Sequence, residues 1–143
     1  MSELDALQAA LAAEHAAVYV YGALGGRTSQ SATPELFAAV SRAYEAHRAR
    51  RDELTAAVLD LEAEPVAAEP AYELPALETP RQVERAALAV ERACASTYAF
   101  VVENSTAGRR RSAIGALNEA AVRELVFRGT PEMFPGADEH ADR

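Results

Sequence analysis

Three polar side chains interrupt the apolar stripes of helices that the sequence predicts. Glu14 follows Leu7 and Leu11 at helical spacing, His47 falls in the apolar stripe of the next helix, and Glu91 lies between two stripes of a third. Two carboxylates and an imidazole on facing helices are ligands of the kind that iron and manganese accept. The chemistry to consider first is therefore a metal site inside a helical bundle.

A di-iron site in such a bundle needs a Glu from each of two helices and a Glu-x-x-His segment from each of the other two. Glu14 and Glu91 suit the two single Glu positions. Three residues before His47, however, stands Tyr44 rather than Glu, and the fourth predicted helix contains no histidine. Because half of the required ligands are missing, we expect no di-iron site.

Three interpretations of these polar residues stay open. They form an ion-paired structural cluster with Arg50, Arg51 or both, since buried charges are tolerated when they are paired. Alternatively, Glu14, His47 and Glu91 bind a metal ion, iron or manganese, as a metal-binding protein or oxidoreductase with a reduced ligand set. In the third interpretation they act as acid and base on a small molecule. We adopt the first, which assigns no catalytic or cofactor-binding residue. The predicted buried polar cluster comprises Glu14, Tyr44, His47, Arg51 and Glu91.

Helix signals in the sequence define four elements that would position these residues. The first begins behind Ser2 and ends at the Gly25-Gly26 pair. The second begins at Pro34 and extends to about Glu62, and the third runs from Thr79-Pro80 to about Ser105. After a break at 106–108, a fourth helix continues to about Gly129. Its predicted apolar face consists of Ile114, Leu117, Ala121 and Leu125.

The connection from Glu62 to Pro80 decides how the four helices are joined. It carries four prolines, and at the polyproline rise of about 3.1 Å per residue it can span roughly 55 Å. A helix of about 23 residues is only about 35 Å long. The sequence therefore predicts two antiparallel hairpins joined by a long crossover, which is the ferritin-like four-helix bundle. We predict one all-α domain over residues 1–143, with an irregular tail from about residue 130 in which Met133 and Phe134 fold back on the bundle.

Composition and charge limit the classes of partner. The formal net charge of −8 argues against a protein that binds nucleic acid or anionic membranes over its whole surface. The run Arg109 to Arg111 keeps an anion-binding or nucleic-acid-binding module as a weaker alternative. A single cysteine, Cys94, permits no internal disulfide. No leader or membrane-length apolar run is found, so we expect a cytoplasmic protein.

The second half of the first helix, AAVYVYGAL, is apolar nearly all the way round. Such a segment contacts more than its neighbours in one bundle. We therefore predict a subunit interface on this helix and a homodimer, the commonest symmetric assembly.

Four segments, LAAEHAAVYVYGALG, HRARRDEL, AYELP and FRGTPEMFPG, occur in this order along the chain. In this combination the sequence resembles the ferritin-like domain proteins of unknown function from high-GC Gram-positive bacteria. The resemblance implies a dimeric ferritin-like bundle without an established activity. Where the wider ferritin-like group binds two metals, this chain departs from the pattern. The recurrent positions that the resemblance implies are Glu14, His15, Tyr21, Gly22, His47, Arg48, Arg51, Tyr72, Pro75 and Phe134 to Gly136.

Overall fold

The computed structural model of the protein describes residues 2–127, 129–131 and 133–137. It contains four helices, α1 (Glu3–Gly25), α2 (Pro34–Leu59), α3 (Pro80–Asn104) and α4 (Ala107–Val126), and no strand occurs in the described residues. None of these helices is long and apolar enough to cross a membrane.

Local capping chemistry explains where the helices begin. Ser2 forms a capping box with Asp5 at the start of α1, and Thr79 forms one with Gln82 ahead of Pro80 at the start of α3. These boundaries agree with the predicted ones. The predicted break between the last two helices, at 106–108, ends two residues too late, because α4 already begins at Ala107, which adopts a φ of +48°.

Two apolar clusters show in which direction each helix runs. One cluster, here called the lower cluster, contains Leu7 and Leu11 from the start of α1 and Leu54 and Val58 from the end of α2. It also contains residues from the end of α3 and the start of α4. The upper cluster joins the end of α1 to the start of α2 and the start of α3 to Phe127, just past α4. Thus α1 and α4 run one way, while α2 and α3 run the other.

Residues 62–78, here called the strap, lie along α1 between the two clusters. The side chain of Gln8 donates to the Glu64 carbonyl at 2.7 Å and accepts from the Val66 amide at 2.8 Å. Higher on α1, a ring nitrogen of His15 lies 3.0 Å from the Val66 carbonyl oxygen. Further up, the Tyr19 and Tyr72 rings lie 5.4 Å apart, and Leu77 is buried in the upper cluster. The strap therefore covers part of the apolar second half of α1, on which we predicted a subunit interface.

The buried face of α4 is shifted by one residue from the predicted one, and of the predicted residues Leu117 packs against the lower cluster. Ile114 and Leu125 are 41% and 48% exposed, whereas smaller side chains face the bundle. The small side chains allow close approach of α4 to α3, its principal neighbour. The buried residues of this helix are Ala113, Ala116, Ala120 and Glu124.

The described residues after α4 approach α3 at Gly129, next to Leu88, and again at Gly136. Gly136 has a φ of +83°, and a Cβ at this position would lie 2.5 Å from the Ala95 carbonyl oxygen of α3. A glycine suits both this backbone conformation and this close approach. Met133 and Phe134, which we predicted to fold back on the bundle, are 79% and 65% exposed, so neither is buried in the core.

Candidate functional site

The four helices each supply one charged side chain to a single level between the two clusters. These are Glu14 from α1, His47 from α2, Glu91 from α3 and Arg123 from α4. The first three are at most 1% exposed. Two tyrosine hydroxyls complete the group, which we call the buried polar layer. Its members are Glu14, Tyr21, His47, Glu91, Tyr98 and Arg123.

His47 lies between the two carboxylates. Its Nδ1 atom is 2.6 Å from Glu14 Oε2, and its Nε2 atom is 2.9 Å from Glu91 Oε1. An imidazole with a carboxylate at each nitrogen donates to both only when it is protonated. The geometry therefore favours an imidazolium ion.

The pKa of His47 agrees with this protonation state. Burial alone would lower the pKa, but the hydrogen bonds to Glu14 and Glu91 and their negative charges outweigh burial and raise it to about 9. The same interactions act on Glu91. Burial raises the pKa of its carboxyl, yet His47 and Arg123 hold it below its ordinary value. His47 is thus charged, and Glu91 ionised, at neutral pH.

The remaining carboxylate oxygens also have partners. Glu91 Oε1 accepts a second hydrogen bond from the Tyr21 hydroxyl at 2.5 Å, and Glu91 Oε2 accepts from Arg123 Nε at 2.9 Å. Glu14 Oε1 accepts from the Tyr98 hydroxyl. With two carboxylates, one imidazolium and one guanidinium, the formal charges of the layer cancel.

Burial keeps the two tyrosines and the nearby thiol neutral. It raises the pKa of Tyr21 and Tyr98 well above the ordinary value, with the adjacent carboxylates as the next cause. It also raises the pKa of the Cys94 thiol. Both hydroxyls consequently act as hydrogen-bond donors, and the Tyr21 ring additionally stacks on His47 with centroids 5.1 Å apart.

The structure separates two of the predicted cluster members from the layer. Arg51 pairs with its neighbour Asp52 at 2.8 Å, and the ring of Tyr44 contacts the Arg48 guanidinium. The spacing of Tyr44 and Arg51 from His47 predicts that all three share one face of α2, but Tyr44 and Arg51 lie at the edge of that face. Arg50, the other cation considered for this role, bonds Glu53 and Glu119.

The sequence interpretation missed Arg123 and assigned no role in the layer to Tyr21 or Tyr98. Arg123 escaped notice because the wrong face of α4 was assigned to the core. A register that begins at Ala113 and Ala116 instead of Ile114 brings Arg123 to the boundary of the buried face, which is the signal that could have identified it. Next to Arg123, α4 carries a buried acid, Glu124. It is 2% exposed, and its Oε2 atom lies 3.6 Å from Arg92 Nε.

One set of ligands for a cation is present within the described residues. Single ligand atoms of Glu14, His47 and Cys94 all lie within 4.8 Å of one another. A metal ion there would need a lone pair on His47 and a thiolate on Cys94. Both ring nitrogens face carboxylates, and burial raises the pKa of the Cys94 thiol, so metal binding would require the release of protons.

The chain has a similar solved structure and a matching family. It shares 30% identity with a conserved hypothetical protein, rv2844, from Mycobacterium tuberculosis, over 88% of this chain and 87% of that one, with a TM-score of 0.81. A search of curated proteins finds no match. The family model described as Domain of unknown function (DUF4439) matches residues 6–139. The chain therefore belongs to the DUF4439 family.

Proposed function

We propose that this protein is a non-catalytic, ferritin-like bundle in which an imidazolium and a guanidinium occupy the role that metal ions have in metal-binding bundles. The observation that carries the proposal is the pair of hydrogen bonds from His47 to Glu14 and Glu91. Carboxylates that project inward at one level need positive charge nearby. His47 and Arg123 supply it from α2 and α4.

The helix directions support the ferritin-like part of the proposal. α2 and α3 run the same way, and the strap leads from the lower to the upper cluster along α1. Two antiparallel hairpins joined by one long crossover define that arrangement among four-helix bundles.

Metal analysis tests the proposal directly. The protein is purified without chelator, offered iron(II) or manganese(II) in air, desalted and analysed for metal by mass spectrometry. We expect far less than one ion per chain, because binding would have to displace the His47 proton and break its hydrogen bonds. Stoichiometric retention of one or two ions would overturn the proposal.

The proximity of Glu14, His47 and Cys94 favours a second candidate function, a metal-binding protein or metal-dependent oxidoreductase with a reduced ligand set. This candidate expects metal retention that His47→Ala and Cys94→Ala each abolish while the helical circular dichroism signal persists. If His47→Ala only lowers the melting temperature, and neither the parent protein nor this variant retains metal, this candidate is excluded.

We also propose a homodimer, formed through α4 rather than α1. Support comes from an exposed apolar stripe on α4, where Ile114, Val122, Leu125 and Val126 are 41–61% exposed. Helical spacing sets these side chains on one side of α4. A second copy of α4 offers the matching apolar surface about a two-fold axis.

A further inference from the structure

A cavity of about 610 Å³ lies below the buried polar layer, beside the lower cluster. It lies between α2 and α4, which do not pack closely against each other in the described part of the chain. The Arg50–Glu119 ion pair, at 3.0 Å, bridges these two helices near it. The volume falls within the range of small-molecule sites, roughly 300–1,000 Å³.

The inner wall of the cavity is apolar. Leu7 of α1, Leu54 and Ala57 of α2, Val101 of α3 and Ala113 of α4 line it, so all four helices contribute. Tyr98 also lines the wall, but its hydroxyl donates to Glu14. This apolar wall suits a hydrocarbon chain.

Two of the charged groups that line the cavity, Glu3 and Arg109, lie at the end beside the start of α4, and the other two, Arg50 and Glu53, come from α2. Arg109 donates from Nη1 to Glu3 Oε1 at 2.7 Å, and this pair is partly exposed, with side chains 35% and 26% accessible. Gly108 next to it leaves open space, since a Cβ there would meet nothing within 4 Å. The cavity thus combines an apolar interior with a guanidinium that already holds one carboxylate.

We propose that this cavity binds a medium-chain monocarboxylate, with its acyl chain against Leu7, Leu54 and Val101 and its carboxylate on Arg109 in place of Glu3. Glu3 lies in the first turn of α1 and acts as an internal competitor for that guanidinium. Glu53, which also lines the cavity, pairs with Arg50 at 2.8 Å. Arg50 lines the cavity too, but it already bonds Glu53 and Glu119. A monoanion that replaces Glu3 on Arg109 keeps the charges balanced, whereas a dianion such as phosphate adds one negative charge.

Calorimetric titration with decanoate, compared with decanol of the same chain length, tests the proposal on the full chain. We expect decanoate to bind one site per chain with a Kd below about 1 mM, and decanol about 10-fold more weakly because it lacks the charge-assisted bond to Arg109. Equal affinity for the two probes, or no decanoate binding, would overturn the proposal.

Two substitutions at the charged end have opposite expected effects. Arg109→Gln should weaken decanoate binding about 10-fold without changing decanol binding. Glu3→Gln should tighten decanoate binding several-fold, because it removes the competing carboxylate. Arg111→Gln, on the exposed side of the same helix turn, is the matched control and should leave both affinities unchanged. Weaker decanoate binding in Glu3→Gln contradicts the assigned role of Glu3 and overturns the proposal.

Filling the cavity gives an independent measurement. Ala57→Phe should abolish binding of both probes, whereas Ala56→Phe, on the exposed side of α2, should not. Circular dichroism shows whether each variant remains helical, and the two variants at the charged end still test the site if Ala57→Phe does not fold. Unchanged binding in a folded Ala57→Phe protein would overturn the proposal.

Discussion

Arg123 of α4 and Glu91 of α3 form an ion pair, with Nε 2.9 Å from Oε2, at a carboxylate that is fully buried. The pair joins α3 to α4 within the second hairpin, and the other oxygen of Glu91 bonds His47 of the first hairpin. Removing one partner of a buried pair leaves an uncompensated charge. We expect Arg123→Gln to lower the free energy of unfolding by about 3 kcal/mol, measured by urea denaturation.

Two comparisons make this prediction specific. Arg48→Gln removes an exposed arginine paired with Glu45 and should change stability by less than about 0.5 kcal/mol. The double variant Glu91→Gln/Arg123→Gln should be more stable than the sum of the two single losses predicts, since both charges are gone. Additive losses would show that the two side chains do not interact.

The protonation of His47 predicts a pH dependence of stability. Its pKa is raised to about 9 in the folded protein, compared with about 6.5 when unfolded. A raised pKa contributes stability that is complete below the unfolded value and is lost as pH rises through the folded value. Between about pH 6.5 and 9 the unfolding free energy should therefore fall, by about 3 kcal/mol.

His47→Gln supplies the reference for that measurement. Glu14, Glu91, Arg123, Tyr21, Tyr98 and Cys94 surround the ring and stay in place in both proteins. Burial raises the pKa of Cys94, so this thiol also destabilises the fold at high pH, but its contribution appears in both curves and cancels in the difference. Parallel curves for the two proteins over this pH range would show that His47 does not titrate as described.

The strap depends on Gln8, whose amide holds the backbone at both Glu64 and Val66. Gln8→Ala should cost about 1–2 kcal/mol of stability, since two hydrogen bonds are lost. It should also make a glutamate-specific protease cleave the strap faster, and mass spectrometry measures the cleavage rate. Asn118→Ala, which removes an exposed amide on α4, should change neither property. Equal cleavage rates in Gln8→Ala and the parent protein would contradict this role.

The proposed dimer predicts a change in mass when the α4 stripe is charged. Val122→Glu should shift the protein from dimer to monomer in sedimentation equilibrium, because a carboxylate would be buried at the interface. Leu59→Glu is the matched control, since Leu59 is 56% exposed, like Val122 at 61%, but lies at the end of α2. A monomeric parent protein, or a dimer that survives Val122→Glu, would contradict the proposed interface.

Helix boundaries could be predicted because local residues determine them. Ser2, Pro34 and Thr79 act through capping and a fixed φ, and such signals need no knowledge of neighbouring helices. The face of α4 could not be predicted in the same way. Ile114 and Leu125 are more apolar than Ala116 and Ala120, so a pattern based on hydrophobicity selects the wrong face when close packing against α3 selects small residues.

In the buried polar layer, too, some members could be predicted from the sequence and others could not. Glu14, His47 and Glu91 attract attention because each is a polar residue within an apolar stripe. The spacing of Arg51 from His47 predicts a shared face, yet the neighbouring Asp52 provides a partner for Arg51 outside the bundle. Arg123 belongs to the layer because Ala113, Ala116 and Ala120 form the buried face of α4, a face that hydrophobicity alone does not select.

Each hairpin brings one negative and one positive side chain to the level of the layer, so the formal charges cancel within each half. Glu14 and His47 come from the first hairpin, and Glu91 and Arg123 from the second, yet the imidazolium serves an acid in each. If one hairpin slid along the other by a single turn, about 5.4 Å, Glu91 would lose its bond to His47 and face apolar side chains. Polar matching at one height thus fixes the vertical alignment of two halves whose remaining contacts, made largely by alanine and valine, discriminate poorly between neighbouring alignments.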